Sequence, residues 1–194
     1  LISKGIKNLN DLRKNQHLLN NKQKIGLFYY EDIKKRIPLN EFKLHKKIIE
    51  NDLKKLNLTY EFVGSYRRGS NNMGDIDIII MEDKGFDLVS YINQIKKSGY
   101  ILEILALGKH KFMGIVKIGN NPARRFDILI APKNEYYYSL LYFTGSSDFN
   151  IGFRNYVKKI FNLSLSEHGI KGLKKQEPII NSEEDIFKFF NIPF

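Results

Sequence analysis

The chain has 194 residues, 42% of them hydrophobic, enough for one solid core or a core with a small satellite subdomain. Lys and Arg outnumber Asp and Glu by 32 to 21, a formal charge of +11 that favours a polyanionic partner such as nucleic acid, although a plain lysine-rich solvated face gives the same count. Cys is absent, which excludes disulfides and thiolate metal sites, and no run approaches the roughly 18 uninterrupted apolar residues of a membrane span, so an intracellular protein without a membrane partner is expected.

In chain order, residues 1–37 carry Leu9, Leu12, Leu18, Leu19, Ile25 and Leu27 near helical spacing, interrupted by Asn and Gly, and predict short helices. Pro38 ends that stretch. LNEFKLHKKIIENDLKKL follows as an amphipathic helix, then TYEFVGS as a strand and DIDIIIMED as a second strand of β-branched density. FDLVSYINQIKKSG reads as a helix closed by Gly99, and YILEILALG, KFMGIVKIG and ARRFDILIAP as three further strands. EYYYSLLYFTGSSDFNIGFRNYVKKIFNLSL is mainly helical with a break at TGSS, and INSEEDIFKFFNI starts a last helix with Ser182 as N-cap and Asp185 in its first turn. The expected class is α+β: a mixed sheet flanked by an N-terminal helical segment and a C-terminal helix-rich lobe.

The chemistry concentrates in VGSYRRGSNNMGDIDIII, Val63 to Ile80. Residues two apart on a strand share a face, so Asp75 and Asp77 project together while Ile76 and Ile78 face the other way. Paired carboxylates repel unless a cation sits between them, and hard oxygen donors of this kind suit Mg²⁺ completed by substrate phosphates. Upstream, a Gly-Ser turn and the NNMG loop offer a hydroxyl and backbone N–H groups, with Arg67 and Arg68 beside them to meet phosphate charge. A lone surface turn capped by two acids would look similar, but Gly-Ser ten residues before the first Asp, with a basic pair between, is far more specific. A third carboxylate is expected at Asp127 in RRFDILI, mid-strand in an apolar run where it needs a cation partner. A structural salt bridge to Arg124 or Arg125 would satisfy it equally.

Those segments resemble the family X DNA polymerases, the group of DNA polymerase beta, within the nucleotidyltransferase superfamily. GSYRRGSNNMGDID is similar to that family's GS(F)RRG…GDxD signature, RRFDI to its third-aspartate strand, and YFTGSSDFN to its YFTGS motif. GIKNLNDLRK, LNNKQKIGLFYYEDIKKRIP, KFMG and NSEEDIF match in the same order, so the resemblance spans essentially the whole chain. It implies a nucleotidyltransferase palm over residues 38–133, an incomplete helical DNA-binding subdomain over 1–37 and a nascent-base-pair-binding subdomain over 134–194.

By the same resemblance Asp75, Asp77 and Asp127 would ligate two Mg²⁺ ions, with Mn²⁺ as an admissible substitute. Gly64, Ser65, Arg68, Gly74 and Arg36 would meet the dNTP triphosphate, and Arg125 the primer-terminal phosphate while orienting Asp127. Tyr142, Phe143 and Gly145 would pack on the deoxyribose, although core aromatics of a helix and turn are the bland alternative for the pair. Asn150 and Arg154 would touch the minor-groove edge of the new pair and the template, and Lys111 the DNA backbone. The implied activity is templated dNMP addition to a primer 3′-OH by a monomer acting on gapped or primer-template DNA, in a nucleus or a virus-infected cytoplasm. The lyase domain and upstream helix-hairpin-helix of beta-type relatives are expected to fall outside this chain. Ser147 departs from an acidic residue in the family, so packing on the base is expected to differ. The NNP link before ARRFD is short where template-independent relatives carry a long loop. The alternatives are another superfamily nucleotidyltransferase, template-independent or adding to RNA ends, and a DNA-binding relative without catalysis.

Overall fold

The computed structural model describes residue 2, residues 5–174 and residues 178–194. Among the described residues the N-terminal segment holds three short α-helices, α1 (Leu9–Lys14), α2 (Asn21–Phe28) and α3 (Tyr30–Ile33), with a 3-10 turn at Gln16–Leu18. Asn20 caps α2 by a reciprocal capping box with Gln23, which satisfies two otherwise orphaned N–H groups. The expected helical stretch stops short of 37, because Ile37 and Pro38 form β1, antiparallel to β3 (Asn72–Met73). Pro38 then serves as the extended N-cap of the long helix α4 (Leu39–Lys55), a position where its missing N–H costs nothing.

Strand β2 is confined to Tyr60–Phe62, shorter than TYEFVGS suggests, since Gly64–Arg67 turn into the one-turn helix α5. Strand β4 (Ile76–Met81) leaves Asp75 just outside its first residue. After α6 (Leu88–Lys97), the strands β5 (Ile101–Leu107), β6 (Lys111–Val116) and β7 (Arg124–Ala131) follow as expected. The five-stranded sheet has the order β2-β4-β7-β6-β5, with β4 and β7 parallel and the other pairs antiparallel. Gly99, at φ +80°, closes α6 by adopting the left-handed conformation a side chain would resist.

The C-terminal lobe contains α7 (Tyr136–Thr144), α8 (Ser147–Phe161) and α9 (Glu183–Phe189), with the break between α7 and α8 at Gly145 and Ser146 as the sequence predicts. Ser182 caps α9 by accepting from the Asp185 N–H. Between α8 and α9 lies a short hairpin, β8 (Ser164–Ser166) with β9 (Gly169–Lys171), where a helix had been expected to continue to Leu165. Asn162 ends α8 in the left-handed region at φ +54°, a conformation Asn tolerates, and so stops the helix before that hairpin.

Pleating decides what each strand presents. Ile76, Ile78, Ile80, Phe126, Ile128 and Ile130 pack with Phe42, Ile49 and Leu53 of α4 and Leu88, Ile92 and Ile95 of α6 into the main core. Ile79 and Ala131 face the other way and join Val63, Tyr136 and Leu140 in a smaller cluster under α7. Residues Asp77, Arg125 and Asp127 share the parity of that second face. The C-terminal lobe has its own apolar centre, in which Tyr138, Leu141, Phe153, Val157, Ile186 and Phe190 meet. No helix among the described residues is long and apolar enough to cross a membrane.

Candidate active site

Parallel pairing of β4 and β7 places Asp77 directly opposite Asp127 in register, so two carboxylates separated by fifty positions of chain become cross-strand neighbours on one face. Asp75, one residue before β4, joins them from the same side. The Arg125 guanidinium spans the group: Nη2 donates to Asp127 Oδ2 at 3.0 Å and lies 3.7 Å from Asp75 Oδ2. The sequence left Arg124 and Arg125 as equal partners for Asp127, and alternation separates them. Arg124, on the opposite face, is 3% exposed and donates through Nε and Nη2 to Glu41 Oε1 and Oε2 at 2.7 and 2.8 Å, and through Nη1 to the Lys35 carbonyl at 2.8 Å.

The electrostatics are those of acids crowded together without enough cation. Burial, then repulsion from Asp75 and Asp127, pushes the Asp77 carboxyl up to about 7, against which Arg125 pulls weakly. Burial also raises Asp127, although Arg125 opposes it. Asp127 Oδ1 is buried with no hydrogen-bond partner, an arrangement that costs about 1–3 kcal/mol unless something fills it. An orphaned carboxylate oxygen beside a neutralising Asp, in an all-oxygen donor set, fits a hard divalent cation. No group of three or more His, Cys, Asp or Glu side chains among the described residues is already gathered around one ion position. Ions held by two carboxylates each and completed by substrate oxygens need no such group.

The raised acid has a consequence for stability. The folded form of Asp77 holds its proton up to about 7, whereas the unfolded chain releases it near 3.8. Its stabilising contribution is therefore full below about pH 4 and lost as pH rises through about 7, by on the order of 2–4 kcal/mol. In the presence of a chelator the melting temperature is expected to fall between pH 5 and 8, Asp77→Asn to flatten that slope, and Mg²⁺ to raise the melting temperature at pH 8. A metal-independent melting temperature at pH 8 would contradict the assignment.

Of the residues expected to meet phosphate, Gly64 and Gly74 lie next to the same acids. Gly64 adopts φ +64°, and a Cβ there would stand 3.0 Å from Asp77 Oδ2, so both conformation and space demand glycine. Gly64→Ala is expected to cost about 1 kcal/mol of stability and, by displacing Asp77, about tenfold or more in nucleotide insertion, read by denaturant unfolding and single-turnover kinetics. A Cβ on Gly74 would lie 3.1 Å from Arg36 Nη1, which places Arg36 against the loop leading into Asp75. Ser65 sits in α5, with its carbonyl accepting from the Ser70 N–H at 3.0 Å. Lys111, exposed at the start of β6, is close enough to lower the Asp127 carboxyl.

The two adjacent arginines at the end of α5, Arg67 as its last residue and Arg68 as its C-cap, differ from the expectation that both await phosphate. Arg67 is taken up by Glu183, with Nη1 and Nη2 at 2.8 and 2.5 Å from its two oxygens, and also donates to Thr144 Oγ1 at 2.7 Å. Arg68 donates through Nη1 to the Thr144 carbonyl at 2.5 Å, and Gly145 lies against the same group. Both contacts tie the sheet to the C-terminal lobe; the sequence offers no signal for them, because the partners lie 76 and 116 positions away.

On that lobe the remaining expected residues form a second group. Asn150 Nδ2 donates to the Tyr142 carbonyl at 2.8 Å, and the Arg154 guanidinium lies 4.4 Å from the Tyr142 ring centroid while Nη2 pairs with Glu167 at 3.0 Å. Phe143 is 37% exposed and Tyr142 half-buried at the end of α7, whose buried side is supplied by Tyr138, Leu140 and Leu141. A purely core role for the pair is therefore not what they fill. Thr144 and Gly145, which follow this pair, are the residues that Arg68 holds. Ser147 is exposed at the first position of α8.

Comparison with known proteins matches residues 36–133 to the DNA polymerase beta palm, residues 139–194 to the DNA polymerase beta thumb and residues 1–34 to the fingers domain of DNA polymerase lambda. The whole chain aligns at 29% identity with 42% of DNA polymerase lambda of Arabidopsis thaliana, and 98% of it at 28% identity with 37% of DNA polymerase lambda of Rattus norvegicus. DNA nucleotidylexotransferase of Xenopus laevis is 28% identical over 98% of this chain and 46% of its own length. The chain thus spans less than half the length of these curated relatives.

Proposed function

We propose, because this chain belongs to the family X DNA polymerases, that it carries the centre of a template-directed DNA polymerase adding dNMP to a primer 3′-OH, in short-gap filling during DNA repair. The observation that carries the reading is the register of Asp77 against Asp127, with Asp75 and Arg125 on the same face and the Gly64 turn packed on Asp77. Residues 38–133 would act as palm, 1–37 as part of a DNA-binding segment and 134–194 as the lobe that checks the new pair.

Asp75 and Asp77 would hold a nucleotide-bound Mg²⁺ or Mn²⁺, and Asp127, through its unpartnered Oδ1, would help hold a second ion at the primer end. Bound there, such ions would supply charge neutralisation for attacking and leaving oxygens in an in-line displacement. The chain's own part is positional. Backbone N–H groups of the Gly64 turn and of Gly74, with Arg36, Ser65 and Arg68, would receive the triphosphate. Arg68 would exchange the Thr144 carbonyl for a phosphate oxygen, which couples nucleotide arrival to the contact between sheet and lobe. Arg125 would meet the primer-terminal phosphate and keep Asp127 turned toward the ion. Tyr142, Phe143 and Gly145 would line the sugar, Asn150 and Arg154 the base pair and template, and Lys111 the backbone of the DNA. The partners would be gapped or primer-template DNA and dNTP, bound by a monomer inside the cell.

The test is extension of a primer across a one-nucleotide gap with each dNTP alone, in Mg²⁺ and in Mn²⁺. Incorporation only of the dNTP complementary to the template supports the reading; no incorporation with either ion overturns it. Template-independent addition, suggested by the nucleotidylexotransferase relative, would show as addition of every dNTP to a single strand. The short connection of residues 117–123 between β6 and β7, closed by a turn from Asn121 N–H to the Ile118 carbonyl, favours the templated form.

A further inference from the structure

Phe28, the last residue of α2, is 81% exposed, far more open than Phe143 at 37%, while its neighbour Leu27 is buried. A phenylalanine so placed gains almost nothing for the fold by burial. Its ring meets only the edge-on ring of Tyr29 among the described aromatic pairs, at 4.8 Å between centroids and 84° between planes. Lys24 stands one helical turn earlier on the same side of α2, exposed, with Lys22 exposed at the start of the helix. Lys34 Nζ lies over the Tyr30 ring at 5.7 Å. The acids of the segment are occupied: Asp11 accepts from the Lys7 N–H at 3.0 Å, Glu31 pairs with Arg13 at 3.0 Å, and Asp32 accepts from the Ala123 N–H at 2.9 Å and lies 3.5 Å from Lys35. What remains outward is an aromatic ring among cations.

The ring is also held in place relative to the carboxylates. The Asp32 contact to Ala123 and the Arg124 contact to the Lys35 carbonyl fasten α3 to the start of β7, the strand that carries Asp127. We infer that Phe28 is a stacking post for an unpaired base of a single-stranded stretch of nucleic acid, with Lys22 and Lys24 receiving the flanking phosphates. The inference rests on the reading of this chain as a DNA-binding polymerase and adds to it a contact outside the nucleotide site. An unpaired base is the fitting occupant because a base inside a duplex has both faces covered, whereas a single strand combines a free π-face with closely spaced negative charge. A purely apolar protein surface would bury the ring but leave the neighbouring lysines desolvated and unpaired.

The experiment measures affinity of the whole chain, by fluorescence anisotropy, for oligo-dT, for an abasic strand of the same length and charge, and for gapped duplex. Unmodified protein is expected to prefer oligo-dT over the abasic strand, and Phe28→Ala to weaken oligo-dT binding about 5- to 100-fold with abasic binding unchanged. Phe28→Trp should retain the preference, and Phe28→Leu, apolar but without a stacking face, should lose it. The dependence of log K on log salt should be unaltered in Phe28→Ala and shallower by about 0.7 in Lys24→Ala. Equal affinity of Phe28→Ala and unmodified protein for oligo-dT overturns the inference and leaves the ring to a protein surface. Equal loss on the abasic strand overturns it too, since stacking cannot be lost where no base exists. If unmodified protein fails to bind even the gapped duplex, the polymerase reading itself falls, a result separable from either outcome.

Discussion

Asp127→Ala is expected to lower single-turnover nucleotide insertion by at least about 10²-fold while leaving affinities for gapped DNA and for dNTP with Mg²⁺ near those of the unmodified chain. The separation follows from position. Asp75 and Asp77 lie beside the Gly64 turn and the Arg36–Gly74 contact, where a triphosphate would be received, whereas Asp127 reaches the group from β7. An interaction that matters chiefly in the transition state lowers kcat without raising KM. Asp77→Ala should damage nucleotide binding as well, because its carboxylate is packed directly on Gly64. The rival account treats Asp127 as a structural partner of Arg125, to which it is bonded at 3.0 Å. Under that account the variant would lose stability and keep its chemistry, with Arg125 turning fully to Asp75. Insertion at the unmodified rate would therefore refute the two-ion assignment and leave Asp127 as an anchor.

Much of this was legible from the chain because the strands carry dense β-branched runs and the acids interrupt them at a period of two. The sheet's expected strands all form, and Asp77 meets Asp127 in register across β4 and β7. The boundaries shifted where backbone geometry outweighed composition: Gly64 at positive φ turns the chain out of β2, and Ile37 leaves the helical segment to pair with Met73. The β8–β9 hairpin escaped notice because strands of three residues are too short to show a period distinct from a helix end. Arg67 was grouped with Arg68 as a phosphate ligand, since nothing local announces that Glu183 will arrive 116 positions later to occupy it. The choice between Arg124 and Arg125 was open to alternation alone: Arg124 shares the parity of Phe126 and Ile128, which are core residues, and Arg125 that of Asp127.

That parity makes Arg124 the subject of the second large effect. Arg124→Ala is expected to destabilise the folded chain by about 3–5 kcal/mol, because Glu41 would keep its charge in a site where it is only 8% exposed. The remaining neighbour cannot replace the guanidinium. His45 is fully buried, its Nε2 stands 3.7 Å from Glu41 Oε1 and makes no hydrogen bond, and Nδ1 is engaged with the Tyr100 hydroxyl at 2.8 Å. Burial holds the His45 imidazole down to about 4, with Glu41 pulling up and Arg124 adding to the depression, so it stays neutral at ordinary pH. Removing Arg124 takes away the smallest cause of that depression and leaves burial, so His45 should still cost stability as pH falls from 7 toward 5, but less in the variant than in the unmodified chain, opposite in sign to the contribution of Asp77 in both. The double variant Arg124→Met with Glu41→Leu should recover most of the loss, since a buried pair replaced by apolar groups leaves no charge stranded. Urea unfolding of the unmodified chain and the two variants at both pH values decides the matter. A single variant no less stable than the double would mean that the pair contributes little. The functional consequence follows from adjacency: Arg124 fixes the first residue of β7 to α4 and to the Lys35 carbonyl, and the next residues on that strand, Arg125 and Asp127, inherit their positions from it. Insertion should therefore decline in Arg124→Ala even under conditions where the chain remains folded, and recover in the double variant only as far as β7 returns to its register.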